Sequence, residues 1–479
     1  MVKKIVLACF SVGFFIQLSW GQESYSPDIH RSYPDQVYWG DTHVHSSMSS
    51  DVYFMGGLDS SEIGQEQAYR FARGETITMK NKMDVRLSRP MDFVVMADHA
   101  ENIGILDSLI RTDEALLSTS SGSALYNKFR ALTAKSTGEY TPEAITFGNS
   151  FSTEKLISES AFRPIWHRIT SLADRHYLPG KFTTFIGYEW TSTGSKSNSI
   201  PPERGNLHRV VIYRDDAKKA NAYLPFSRID SGNPEDLWQF MEKYEETTGG
   251  GILAIPHNGN LSNGEMFSSV NYEGRSLSVS YAKTRSRWEP LYEVTQTKGA
   301  SEAHPLLSNK DEFASFEIWN DWKGGTAQSA QDAVWKEKKQ AEYARSALKT
   351  GLRLKNSLGV NPFKFGLIGS TDSHTGLATA DEDNFWGKSS KNLPSESRLF
   401  RQSWIGGPSM WEVAASGYTG IWAQENTRES LFAAMKRKEV YASTGPRMTV
   451  RFFGGWDYQS EDAFKPDLAR IGYEKGVPM

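Results

Sequence analysis

Cysteine is nearly absent: the 479-residue chain has one, Cys9. It lies in a stretch that reads as a secretory signal peptide over residues 1–21. Lys3 and Lys4 form the basic start, Ile5 to Leu18 is mostly apolar, and Ser19 and Gly21 are the small residues near its end. The apolar run is shorter than the ~20 residues of a spanning helix, and Cys9 comes too early for a lipoprotein cleavage site. The mature chain is therefore expected to carry no cysteine, which excludes disulfides and thiolate chemistry. An exported protein of this size without disulfides fits a bacterial periplasm or the exterior, held by a large core rather than by staples. A second apolar run of spanning length is also missing, so no membrane contact is expected of the mature form. Charge excess is missing too. Lys and Arg number 54 against 57 Asp and Glu, a net −3 that becomes −5 when Lys3 and Lys4 leave with the signal. That excludes the basic footprint of a nucleic-acid binder. The partner left is a small-molecule substrate, and no oligomeric state is implied.

Short β-rich apolar runs are what the chain does have. They are Val37–Trp39, Phe93–Met96, Thr183–Ile186, Arg209–Tyr213, Gly251–Ile255, Ser315–Trp319 and Phe365–Gly369. Most are continuous rather than alternating, the pattern of strands buried on both faces. Helix-like stretches lie between several of them, at 61–73, 103–117, 161–176, 234–247 and 328–350, with a further one at 429–438. Strand–helix alternation predicts an α/β barrel with a parallel core. Long polar connections at 191–204, 258–297 and 378–408 read as binding loops or lids. No internal repeat or low-complexity tract is visible.

The residues at the ends of these runs carry the chemistry. The first run leads into His43-Val44-His45, two imidazoles at i and i+2 that share one face of a strand, with Asp51 six residues on. Such a pair makes two arms of a metal site, because neutral His is a favoured ligand. Asp98-His99 follows the second run, Glu189 the third, His208 precedes the fourth, His257 follows the fifth, and Asp372-Ser373-His374 the last. Each has an ordinary alternative: a hydrogen-bonded loop histidine, a helix cap, half of an ion pair. Jointly, six of the ten histidines fall beside predicted strands, where α/β barrels build their sites. His30, His167, His176 and His304 fall in polar or helical contexts and read as structural or surface residues.

The order His-x-His, Asp, Asp-His, Glu, His, His, Asp-x-His resembles the polymerase and histidinol phosphatase (PHP) superfamily. More closely, the chain resembles an exported PHP-like branch of unassigned function. The matching segments are Tyr38–His45, Met96–Asn102, Gly187–Thr191, Ile255–Gly264 and Gly369–His374. The resemblance implies a distorted (β/α)7 barrel with long loop insertions over 22–445, and a C-terminal β-rich extension beginning at 446–479. It implies two or three divalent metals, Zn, Mn or Fe. His43, His45, Glu189 and Asp372 would hold the first, Glu189, His208 and His257 the second, and Asp51, His99 and His374 the third. Asp51 departs from PHP members that have His there. Relatives of the branch continue past the last residue here, so the chain reads as C-terminally truncated, without a helix or capped strand at its end.

Close divalent cations lower the pKa of water and stabilise a developing oxyanion. Glu189 and Asp372 are therefore expected to act directly in catalysis. Asp41, Asp98 and Glu101 are candidates to orient the ligands. Arg204 or Arg209 could meet transition-state charge, and Asn258 or Asn320 could orient substrate. The resulting expectation is an exported metal-dependent hydrolase, a phosphoesterase by superfamily analogy. The alternatives are a hydrolase of amides, lactones or other carboxylic esters, and an inactive metal-stabilised binding domain.

Overall fold

The computed structural model describes residues 33–56, 63–79, 82–133, 142–193, 205–319, 333–396, 398–402, 409–413 and 417–479. The stretch 1–21 expected to be a signal peptide, His30, Arg204 and Asn320 lie outside the described residues. Nine strands matter for the site: β1 (Gln36–Val44), β2 (Phe93–Met96), β3 (Thr183–Trp190), β4 (Arg209–Tyr213), β5 (Ile252–Pro256), β6 (Leu291–Thr295), β7 (Gly366–Gly369), β8 (Tyr418–Ala423) and β9 (Val440–Ser443). Seven form one curled half-barrel sheet, in the order β9-β8-β1-β2-β3-β4-β5. The parallel pair β6–β7 packs between its two ends, against β5 on one side and β9 on the other. Among the described residues there are fourteen α-helices, and none is long and apolar enough to cross a membrane.

The strands are buried on both faces, as their apolar runs predict. Phe93, Val95, Phe185, Val210, Ile212, Leu253 and Ile255 fill the concave side of the sheet. Val94, Tyr188, Trp190, Val211 and Tyr213 face the helices on the convex side. Helix α1 (Glu159–His176) shows how those helices are built. The Ser158 side chain caps it by accepting from Ala161 N, and Ile165, Trp166, Ile169 and Ala173 supply the buried stripe.

Strand direction departs from the parallel barrel expected. Only β1–β2 and β2–β3 run parallel in the large sheet, whereas β3–β4, β4–β5, β1–β8 and β8–β9 are antiparallel. Burial on both faces produces continuous apolar runs whatever the direction. The informative signal was the sequence of the connection 191–208, which lacks the helical periodicity expected of a parallel crossover. Ser315–Trp319 is not a strand; it forms turns with a single bridge, Ala300 to Ile318. β6, β8 and β9 were not anticipated, and β6 carries the buried Glu293 in its middle. Residues 448–453 are mostly irregular; Phe453–Gly454 pairs with Val477–Pro478, and the helix Leu468–Lys475 lies in the stretch expected to lack one.

One irregularity aims the site. Along β1 and β2 the register runs Gly40–Phe93, Asp41–Val94, then Val44–Met96, so three residues on β1 advance against two on β2. This bulge reverses the side-chain alternation. Trp39 therefore packs on the convex side, while four residues later His43 turns to the concave side beside Glu293. Buried Asp41 holds the bulge, its Oδ1 accepting from His43 N at 2.9 Å and Thr371 N at 3.2 Å. Gly40 lets β1 approach β2, because a Cβ there would collide with the Phe93 carbonyl and ring. Gly40→Val should cost about 3 kcal/mol or more, read by denaturant unfolding. An unchanged midpoint would show that the strands part freely at this point.

Candidate metal centre

Two short backbone ladders bring the ligand-bearing segments together. His45 N donates to Ser373 O and Asp372 N to His43 O, each at 2.8 Å, so the Asp372–His374 segment lies alongside the end of β1. Glu189 N donates to Asp98 O at 3.0 Å and Ala100 N to Glu189 O at 2.9 Å, which ties His99 to Glu189. All nine expected ligands meet at this end of the sheet. They form four overlapping groups: His45, Asp51, His99 and His374; His43, Glu189 and His257; His43, His45 and Asp372; His99, Glu189 and His208. The grouping differs in detail from the three sets implied by resemblance. His45 joins the Asp51 set, and His208 and His257 fall in separate groups.

Glu189 is the centre. Its Oε1 lies 2.7 Å from His208 Nδ1 and 2.8 Å from His257 Nε2. Its Oε2 lies 3.2 Å from His45 Nε2, 3.2 Å from His99 Nδ1 and 3.4 Å from His43 Nε2. Asp372 Oδ1 lies 3.3 Å from His45 Nε2 and 3.5 Å from His43 Nε2. Asp51 Oδ2 joins His374 Nε2 at 2.7 Å and His99 Nε2 at 3.1 Å. Only Asp51, His99 and His208 are partly exposed. They line a cavity of about 400 Å3 together with Phe54, Glu101 and Thr191, which is the open approach to the cluster.

The donor chemistry fits cations. His43 Nδ1 faces Glu293 Oε2 at 3.1 Å, and a carboxylate only accepts, so the proton sits on Nδ1. His45 Nδ1 faces Ser49 Oγ at 3.2 Å, and Ser49 spends its own proton on Asp51 Oδ1 at 2.7 Å. Both Nε2 atoms therefore point lone pairs at each other across 3.1 Å, with Glu189 and Asp372 oxygens alongside. With Nδ1 already protonated, the two Nε2 atoms and these oxygens can face one another only around a bound cation or an added proton. The separations among His43 Nε2, His45 Nε2 and Asp372 Oδ1, 3.1 to 3.5 Å, match the roughly 3.3 Å ligand–ligand edges of a site with bonds of about 2.0–2.1 Å, and Glu189 stands in neighbouring groups.

The same crowding governs protonation. Burial resists charge on His43, but the Glu293, Asp372 and Glu189 carboxylates outweigh it and hold its pKa well above the usual histidine range. His99 is carried to about 10 by Glu189 and Asp51 against its burial. Burial would raise Glu189, yet His99, His208, His257 and His43 keep it well below the ordinary carboxylate range. Burial prevails at His208 and His374, both lowered to about 3. The pocket demands positive charge, which protons supply when no metal does.

Two expected roles are revised. Arg209 lies opposite Trp190 in the β3–β4 ladder, so it shares the convex face and not the face of Glu189. Its Nε pairs with buried Glu289 at 2.9 Å, which removes it from substrate. Asn258 is buried and accepts from Gln296 Nε2 at 3.0 Å, supporting the loop after β6. His304, read as structural or surface, is the former: it is buried against Tyr343. Of the expected orienting carboxylates, Glu101 reaches His99 through Thr191 Oγ1, with both links at 2.8 Å, whereas Asp98 accepts from Ser46 N and Oγ. Sequence reasoning missed Glu293, Lys298 and Lys388. Lys388 Nζ meets Asp372 Oδ1 at 2.7 Å, and Lys298 Nζ meets Asp372 Oδ2. These residues have no motif spacing to the ligands; the one available signal was a Glu in an otherwise strand-like run.

The fold and site define an α/β protein whose clustered His, Asp and Glu side chains could hold metal ions. The chain belongs to a family described as proteins of unknown function, DUF3604, which matches residues 32–479. No curated protein matches it. Among solved structures, a two-domain protein from Bacteroides vulgatus ATCC 8482 containing a predicted PHP-like metal-dependent phosphoesterase is similar over 86% of this chain. The identity is 9% and the TM-score 0.30, and the match spans 66% of that protein.

Glu189→Gln should lower bound metal, and Glu293→Gln should weaken affinity by about 10–100-fold by releasing the His43 tautomer. Elemental analysis and chelator competition read both, and wild-type values would exclude these roles. Because His43 and His99 hold protons that a cation must displace, affinity should rise with pH through neutrality and loading should release protons. Calorimetry in two buffers of different ionisation enthalpy counts them; loading without proton release would show that these imidazoles are not ligands.

Proposed function

We propose that this chain is a metal-dependent hydrolase acting on phosphoesters of small molecules, exported to the periplasm or secreted. The observation that carries the reading is the 3.1 Å approach of His43 Nε2 to His45 Nε2, flanked by Glu189 and Asp372 oxygens. Export is read from the leader sequence alone. His43, His45, Glu189 and Asp372 would hold one divalent ion. Oε1 of Glu189, with His257 on one flank and His208 on the other, and the set Asp51, His99, His374 would hold one or two more. Such ions lower the pKa of water and neutralise charge developing on an attacked phosphoryl centre.

The chain's own residues prepare the rest. Glu293 and Ser49 fix the two imidazole tautomers from behind. Glu101, through Thr191, orients His99 at the cavity mouth. His208 keeps Nδ1 on Glu189 while its 15% exposed side chain faces the approach. Lys298 and Lys388 add two positive charges beside Asp372, which favours an anionic substrate over a neutral one.

Purified protein loaded with Zn or Mn and offered phosphomonoesters, phosphodiesters, carboxylic esters and lactones should turn over the phosphoesters fastest. Preference for an ester or lactone would replace the substrate class. No turnover of any kind at full metal occupancy would overturn the enzymatic reading.

A further inference from the structure

Asp372 is unusual in meeting two lysines, one at each carboxylate oxygen, and the two are held differently. Lys388 is fixed: its side chain is 2% exposed, and Nζ donates to the Asp372 carbonyl at 2.6 Å and lies 2.7 Å from His374 Nδ1. Lys298 Nζ meets Asp372 Oδ2 with 11% of its side chain exposed. Its backbone, by contrast, is pinned. Lys298 N donates to Gln296 Oε1 at 3.0 Å, and its carbonyl accepts from Asn260 Nδ2 at 3.1 Å. The next residue, Gly299, turns the chain at φ +89°, where a Cβ would crowd Glu317 O at 2.8 Å and Trp319 N at 2.9 Å. A flexible stem on a fixed backbone lets the ammonium swing only within reach of Asp372.

Charge then decides what that ammonium is for. A carboxylate facing two ammonium groups needs no further cation, yet its Oδ1 belongs to the His43–His45 group that could hold one. A divalent ion on Oδ1 leaves the local positive charge in surplus, and that surplus is relieved only by an anion. We propose that Lys298 is the specificity-determining residue of the centre. It neutralises Asp372 in the resting site and turns to a non-bridging oxygen of the bound phosphoester when a cation occupies Asp372. This rests on the phosphoesterase reading and adds the group that separates a phosphoester from a neutral ester. Lysine suits the task because its ammonium has three rotatable donors on a flexible stem.

The test uses the full metal-loaded chain as wild type, Lys298→Met and Lys298→Arg, with Lys298→Gln in reserve if the methionine variant does not fold. Bound metal is read by elemental analysis, binding of inorganic phosphate by calorimetry, and turnover on p-nitrophenyl phosphate and p-nitrophenyl acetate. Lys298→Met should keep wild-type metal stoichiometry and bind phosphate about tenfold more weakly or worse, the loss expected for a charge-assisted hydrogen bond. Its kcat/KM on the phosphate ester should fall at least as far, with the acetate rate within about twofold of wild type. Lys298→Arg should recover part of the phosphate affinity. Unchanged phosphate binding in Lys298→Met, or loss of metal in its place, overturns the proposal and makes Lys298 a counter-ion of Asp372. A wild type that cleaves only the acetate overturns the phosphoesterase reading separately.

Discussion

Everything at the functional end of this protein depends on one electrostatic constraint: Glu189 is buried with imidazoles on both of its oxygens. A desolvated carboxylate is costly unless neutralised. Here six histidines and two lysines offset Glu189, Asp51 and Asp372 within a few ångströms. The local sheet geometry follows from it. The bulge in β1 turns His43 and His45 inward, the Asp372–His374 segment lies along the end of β1, and His99 is bridged to Glu189. Each device adds a charge-bearing group where a regular strand would place an apolar one.

The outer layer serves the same end. Glu293 and Ser49 hold protons on the far nitrogens of His43 and His45, so the near nitrogens present lone pairs. The Glu101–Thr191–His99 relay does the same work at the cavity mouth. Ligands that face each other without a hydrogen between them are stable only around positive charge, which is why the arrangement reads as a cation site and not as a buried hydrogen-bond network. The exposed members, Asp51, His99 and His208, give the cluster one open side.

Much of this was legible beforehand, and the limits were physical. The apolar runs located β1 to β5 and β7 because burial on both faces leaves a compositional trace. Direction left none, so a parallel barrel was expected where a mixed, curled sheet exists. β6 was hidden by a buried Glu in its middle. Arg209 looked available for substrate until its register opposite Trp190 placed it on the other face.

The sequence by itself determined the ligand inventory. His, Asp and Glu stand at the ends of strand runs, and a strand end is where local order delivers a side chain to a common rim. It also determined that cysteine plays no part in the chemistry of residues 10–479, which contain none. Only the tertiary structure decided which nitrogen of each histidine faces the centre, which carboxylates stand behind, and that two lysines converge on Asp372. Those relations join residues such as Asp372 and Lys298 that come from different loops and share no period or spacing. Contact across the end of the sheet is set by packing and register, which a one-dimensional pattern does not carry.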